Sequence, residues 1–152
     1  STAVVVDGIL RLFSSNPKRD ANLMRKDKAR PRSELNSGAR DNSPLRDIFL
    51  AENDDLIYQL VKNYLQACNE TFWKKANPDS FIFRTIGVQA IFDILRKIVG
   101  DSIAAKNVKM EYFAAKLEKA GEIDFSEDQF RNPSGSGRTV IRKAIEDAIG
   151  IN

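Results

Sequence analysis

Residues 81–99 form the most apolar stretch of this sequence, and their spacing sets the expected fold class. Phe81, Ile82 and Phe83 start in extended form, and Thr85 caps a helix that ends at Gly100. Ile86, Ala90, Ile91, Ile94, Leu95 and Ile98 recur at helical spacing along it. A helix apolar on nearly every side has to be packed on several faces at once. Arg96 and Lys97, in the expected last turn, complement the negative end of its dipole.

The segments around this one carry the same period. Ser1 and Thr2 can cap a helix through Phe13, with Val5, Ile9, Leu12 and Phe13 on one face and Ser14, Asn16 and Pro17 closing it; valines 4–6 would also suit a strand. Asn53 is an N-cap followed by Asp54 and Asp55, negative charges placed at the positive end of a helix. Leu56, Ile57, Leu60, Val61, Tyr64, Leu65, Cys68 and Phe72 continue as one stripe, and Asn77-Pro78 stops it. A fourth helix is expected over 107–120, turning Met110, Phe113, Ala114 and Leu117 inward. A last one is expected over 138–149, with Gly150 as its stop. The expectation is an all-α single domain, a compact bundle of four to five helices with a long basic loop, and the pattern allows one short strand pair.

What chemistry such a bundle can perform is narrowed by two absences. The chain has no histidine and a single cysteine, Cys68, so disulfides within the chain, thiolate zinc sites and histidine-based catalysis are excluded. Cys68 lies on an apolar stripe and is expected to be a buried, inert thiol. No apolar run exceeds four residues, so no bilayer span is expected. The chain opens on serine with no leader pattern and reads as a fragment of a longer, cytoplasmic protein. No cofactor is expected.

The net charge of +3 is unevenly placed. Lys18, Arg19, Arg25, Lys26, Lys28, Arg30, Arg32 and Arg40 face only Asp20, Asp27 and Glu34. Residues 16–43 are poor in apolar side chains and longer than most internal connections, which predicts a mobile basic loop or arm, with a short helix near 21–28. Such a run is either a solvated linker or a grip on DNA phosphates. It holds no aromatic residue to stack on bases, so backbone contact is the form of nucleic-acid binding that it supports. Five neutralised phosphates would give a log–log salt slope of about −4 to −5.

Other candidate sites are weaker. Gly135, Ser136, Gly137 and Arg138 precede a helix, where converging amides could hold an anion, and a flexible turn accounts for the same residues. Acidic pairs such as Glu122/Asp124 would need convergence and open coordination to support metal-dependent hydrolysis. No catalytic constellation is present in this stretch of chain. Phe72 and Trp73, beside Lys74 and Lys75, read as closure of one end of the core.

The opening Ser1-Thr2-Ala3-Val4-Val5-Val6-Asp7-Gly8-Ile9-Leu10-Arg11-Leu12 resembles part of the DGQHR-domain proteins. So do Asn53-Asp54-Asp55-Leu56-Ile57 before a long helix with Tyr64 and Leu65, the lone Trp73, and Phe83-Arg84-Thr85-Ile86-Gly87-Val88-Gln89-Ala90-Ile91. The likeness covers most of residues 1–100 and, more loosely, the loop at 135–137. The family includes DndB-like proteins associated with DNA sulphur modification. The resemblance implies the helical C-terminal part of a prokaryotic protein tied to DNA modification, its regulation or defence, with a partner subunit in a modification complex. The Asp-Gly-Gln-His-Arg string itself is absent, so none of its residues is carried over. The expected function is therefore a non-catalytic, DNA-contacting or regulatory domain. The alternative is a protein–protein interaction module with no nucleic-acid binding.

Overall fold

The computed structural model describes residues 2–26, 31–35, 40–131 and 135–151. Among these the protein is all-helical, with seven α-helices: α1 Thr2–Phe13, α2 Pro17–Lys26, α3 Arg46–Leu50, α4 Asp54–Cys68, α5 Thr85–Ala104, α6 Met110–Leu117 and α7 Gly137–Ile149. That is more than the four or five expected: α2 overlaps the short helix expected near 21–28 but starts earlier, at Pro17, and α3 lies beyond the basic segment, where no helix was expected. No strand occurs among the described residues. Instead of a strand pair, a single backbone bond from Phe81 N to Phe125 O (3.0 Å) ties the two apolar connections together.

α5 is the centre of the molecule, as its apolarity requires. α7 lies along one side of it and α1 along another, while α4 pairs with α6. Ala90, Ile91, Ile94, Leu95, Ile98 and Val99 of α5 are all buried. Each isoleucine or leucine so removed from water contributes about 1.5–3 kcal/mol. α4 reaches α5 through Tyr64, whose hydroxyl donates to the Ile91 carbonyl at 2.6 Å and whose ring meets Phe113 edge-on at 5.5 Å. α1 approaches α5 at Gly8, where a Cβ would stand 2.5 Å from Cγ of Phe92, so only glycine lets the helices come this close.

Three expected boundaries move, each for a local reason. Phe81–Phe83 is a 3-10 turn rather than extended chain, because the Ser80 hydroxyl accepts from Ile82 N at 3.2 Å and caps it. Gly100 does not end α5. It sits in open space on the exposed side, where a helical glycine costs only about 1 kcal/mol, and the helix runs on to Ala104. Arg96 and Lys97 thus lie in mid-helix rather than at its end. The helix expected over 107–120 is α6 followed by a 3-10 turn, Glu118–Glu122.

Other expectations hold. Asn53 caps α4, its side chain accepting from Leu56 N. Gly150 ends α7 with φ of 77° in the left-handed region. Trp73 closes one end of the core, its indole N–H donating to Ile82 O at 3.2 Å, and Phe72 packs against Phe125. Cys68 is fully buried, and burial pushes its thiol far above the ordinary range, which keeps it protonated.

Candidate functional site

The basic segment opens with a helix, and the sequence carried the signal for it. Asn16 and Pro17 look like the end of α1, but they begin α2. The Asn16 side chain accepts from Arg19 N at 3.1 Å, and Pro17 occupies the first helical position, where no donor is lost.

The position of α2 is set by one buried charge cluster. Asp20 accepts two bonds from Arg46, Nη1 to Oδ2 at 2.6 Å and Nη2 to Oδ1 at 3.1 Å, and a third from the Ser14 hydroxyl at 2.6 Å. Arg46 Nη1 also donates to Phe13 O at 3.1 Å and lies 3.7 Å from Asp41. Asp41 in turn accepts from Ser15 N at 2.8 Å and Ser43 N at 2.9 Å. Burial alone would raise the Asp41 pKa, but the bonds from Ser43 and Ser15 prevail and hold it well below the ordinary carboxylate range. Arg46, on α3, is the residue that joins the end of α1, the start of α2 and the chain returning to the body.

With its inner side held by Asp20 and Leu23, α2 turns Lys18, Arg19 and Arg25 to solvent. Among the described residues none of these three enters an ion pair. Lys26 ends the helix, and Lys28 and Arg30 lie outside the described residues. The other two cations of the segment are used locally. Arg32 forms a two-bond pair with Asp54 (2.6 and 3.0 Å) while its guanidinium lies 4.5 Å over the Phe49 ring. Arg40 donates from Nε to Asn42 Oδ1 at 3.0 Å. Arg32 was expected to face outward; it serves instead to fasten residues 31–35 to the start of α4.

At the glycine loop the arginine is already engaged. Gly135 has φ of 78°, Ser136 precedes α7, and Gly137 is buried as the helix's first residue. Arg138 binds Asp93 through Nε (2.7 Å) and Nη2 (2.6 Å), with Asp7 adding to the negative field around it. A carboxylate of the protein therefore occupies the position that an external anion would take on Arg138. Of the acidic pair 122/124, Asp124 accepts both the N–H and the hydroxyl of Ser126. No three metal-ligating side chains converge among the described residues. No helix there is long and apolar enough to cross a membrane.

The structure also contains a feature with no counterpart in the sequence reading. A groove of about 1130 Å³ runs beside α1 and α4, floored by Ile9, Phe13, Phe49, Ile57, Val61 and Leu65. Phe13 and Phe49 stack at its end, centroids 4.3 Å apart. Arg32, Asp54, Lys62 and Glu70 give it a charged rim, and Tyr58 stands 66% exposed beside it. Its lining comes from both ends of the first seventy residues and beyond, which is why no local pattern announces it.

The fold and surface define an all-α domain with a pinned cationic helix and an apolar groove. No protein-family model, curated protein or solved structure matches the chain.

Proposed function

We propose that this domain grips the phosphate backbone of DNA through α2, acting in the cytoplasm as the non-catalytic helical part of a prokaryotic DNA-modification or defence protein of the kind that the DGQHR resemblance implies. One observation carries the reading. Lys18, Arg19 and Arg25 are exposed on a helix whose position is held by the buried Asp20–Arg46 pair. A charge presented on a fixed element loses less freedom when it meets a phosphate than one on a loose tail. Arg32 and Arg138, bound to Asp54 and Asp93, are not counted among the contacts.

Three phosphates neutralised by α2 contribute about −3 to the slope of log affinity against log salt. Titration of a DNA duplex at several salt concentrations measures it. The variant carrying Lys18→Ala, Arg19→Ala and Arg25→Ala should lose that part of the slope with unchanged helical content. An identical slope in the variant and the parent chain refutes the role of α2.

The groove favours a second reading, a protein-interaction module that takes an apolar helix face. It predicts no retention on DNA and an association abolished by Val61→Glu in the groove floor.

A further inference from the structure

Between α5 and α7 lies a shallow cleft of about 410 Å³, lined by Asn42, Pro44, Asp93, Arg96, Lys97 and Arg142. Its charges do not balance. With Arg138 one turn before Arg142, four cations surround two carboxylates. Asp93 is taken by Arg138. Glu146, whose side chain is only 7% exposed, is shared by Lys97 Nζ at 2.7 Å and Arg142 Nε at 3.2 Å. A single buried carboxylate neutralises one of those two cations, and Arg142 Nε is buried without a hydrogen bond. Arg96 is exposed and, among the described residues, enters no ion pair. Asp7, the other acid acting on Arg138, is itself paired with Arg11.

We infer that this cleft is a second phosphate site, and that residues 40–44 join it to α2 so that one nucleic-acid backbone contacts both. This rests on the proposed DNA reading for its polymer, but the charge excess stands without it. The connection is direct in the chain. Asp41 is bonded by Ser15 at the foot of α2, and the next residues, Asn42 and Pro44, line the cleft. Arg40 holds Asn42 by its Oδ1, which leaves the amide N–H groups as donors at the cleft's edge. A guanidinium, an ammonium and an amide around one pocket suit the tetrahedral oxygens of a phosphodiester. Repeated phosphates along a strand suit two such sites better than a single free phosphate does.

The test uses the whole chain and a DNA duplex of about 20 bp in a fluorescence-anisotropy titration. Arg96→Ala and Arg96→Glu alter an exposed side chain without uncovering Glu146, so folding is retained and far-UV circular dichroism checks it. Loss of one phosphate contact makes the salt slope shallower by about 0.9, so the affinity gap between parent and Arg96→Ala narrows about threefold from 50 to 200 mM salt. Arg96→Glu should weaken binding further.

Unchanged binding in Arg96→Glu with loss in the α2 triple variant overturns the cleft and leaves the α2 reading standing. Loss in Arg96→Glu with no change in the triple variant supports the cleft and overturns α2. Failure of the parent chain to bind the duplex overturns both. If inorganic phosphate raises the melting temperature of the parent but not of Arg96→Glu while the duplex does not bind, the site takes free phosphate, and the inference of a shared backbone is wrong.

Discussion

At the scale of single residues, Arg46 decides most. Its side chain is 4% exposed and holds two carboxylates, Asp20 and Asp41, that are each 9% exposed. Removing it strands both charges away from water, an effect worth about 3–5 kcal/mol, a large share of the roughly 5–15 kcal/mol by which domains are stable. Arg46→Ala should therefore lower the urea midpoint strongly, whereas Arg40→Ala, at an exposed site on the same segment, should leave it within about 0.5 kcal/mol. Equal midpoints for the two variants would show that the cluster does not hold the segment. Nothing in the sequence separated Arg46 from the other arginines. A cation buried against acids 26 and 5 positions upstream has no local signature, and Arg46 lies beyond the dense basic run that ends at Arg40.

At the scale of elements, the two glycines of α5 behave oppositely. Gly87 packs its α-carbon against the preceding 3-10 turn, where a Cβ would lie 2.5 Å from Phe81 O and 2.6 Å from Ile82 O. Those are backbone atoms and cannot turn aside, so Gly87→Ala should destabilise by about 1–3 kcal/mol. Gly100 meets nothing within 4 Å and is helical, so Gly100→Ala should stabilise by about 0.5–1 kcal/mol. Thermal melts of both variants test the path of α5. If Gly100 terminated the helix instead, its substitution would destabilise. The caps at Asn53 and Gly150 were legible because a cap is a contact within four residues of chain. Asn16-Pro17 was misleading because the same pair serves to end one helix or begin the next, and the choice depends on Asp20 finding Arg46.

At the scale of the whole molecule, acid should loosen the basic segment from the body. Asp41 is held below its ordinary value of 3.8 by Ser43 and Ser15 against the cost of burial, and Asp54 by its bond to Arg32. A carboxylate with a depressed folded pKa contributes its full stabilisation above the unfolded value and loses it as pH falls through the folded one. Stability measured by denaturant should thus stay level from pH 7 to about 5 and decline below about 4. Asp41→Asn should flatten that decline more than Asp54→Asn, since Asp54 is 60% exposed and screened by water. A profile in which both variants fall as steeply as the parent chain would show that the acid sensitivity arises elsewhere.

The order of apolar and polar residues by itself pointed to a mainly helical chain with α5 at its centre and Cys68 buried, since each follows from periodicity and from what neighbours can bury. Only the tertiary structure decided which cations face outward. Pairing between Arg32 and Asp54, Arg46 and Asp20, or Arg138 and Asp93 spans 22 to 45 residues of chain, and an ion pair depends on distance in space rather than position along the chain. The surplus charge that remains, on α2 and between α5 and α7, is what the fold left unspent.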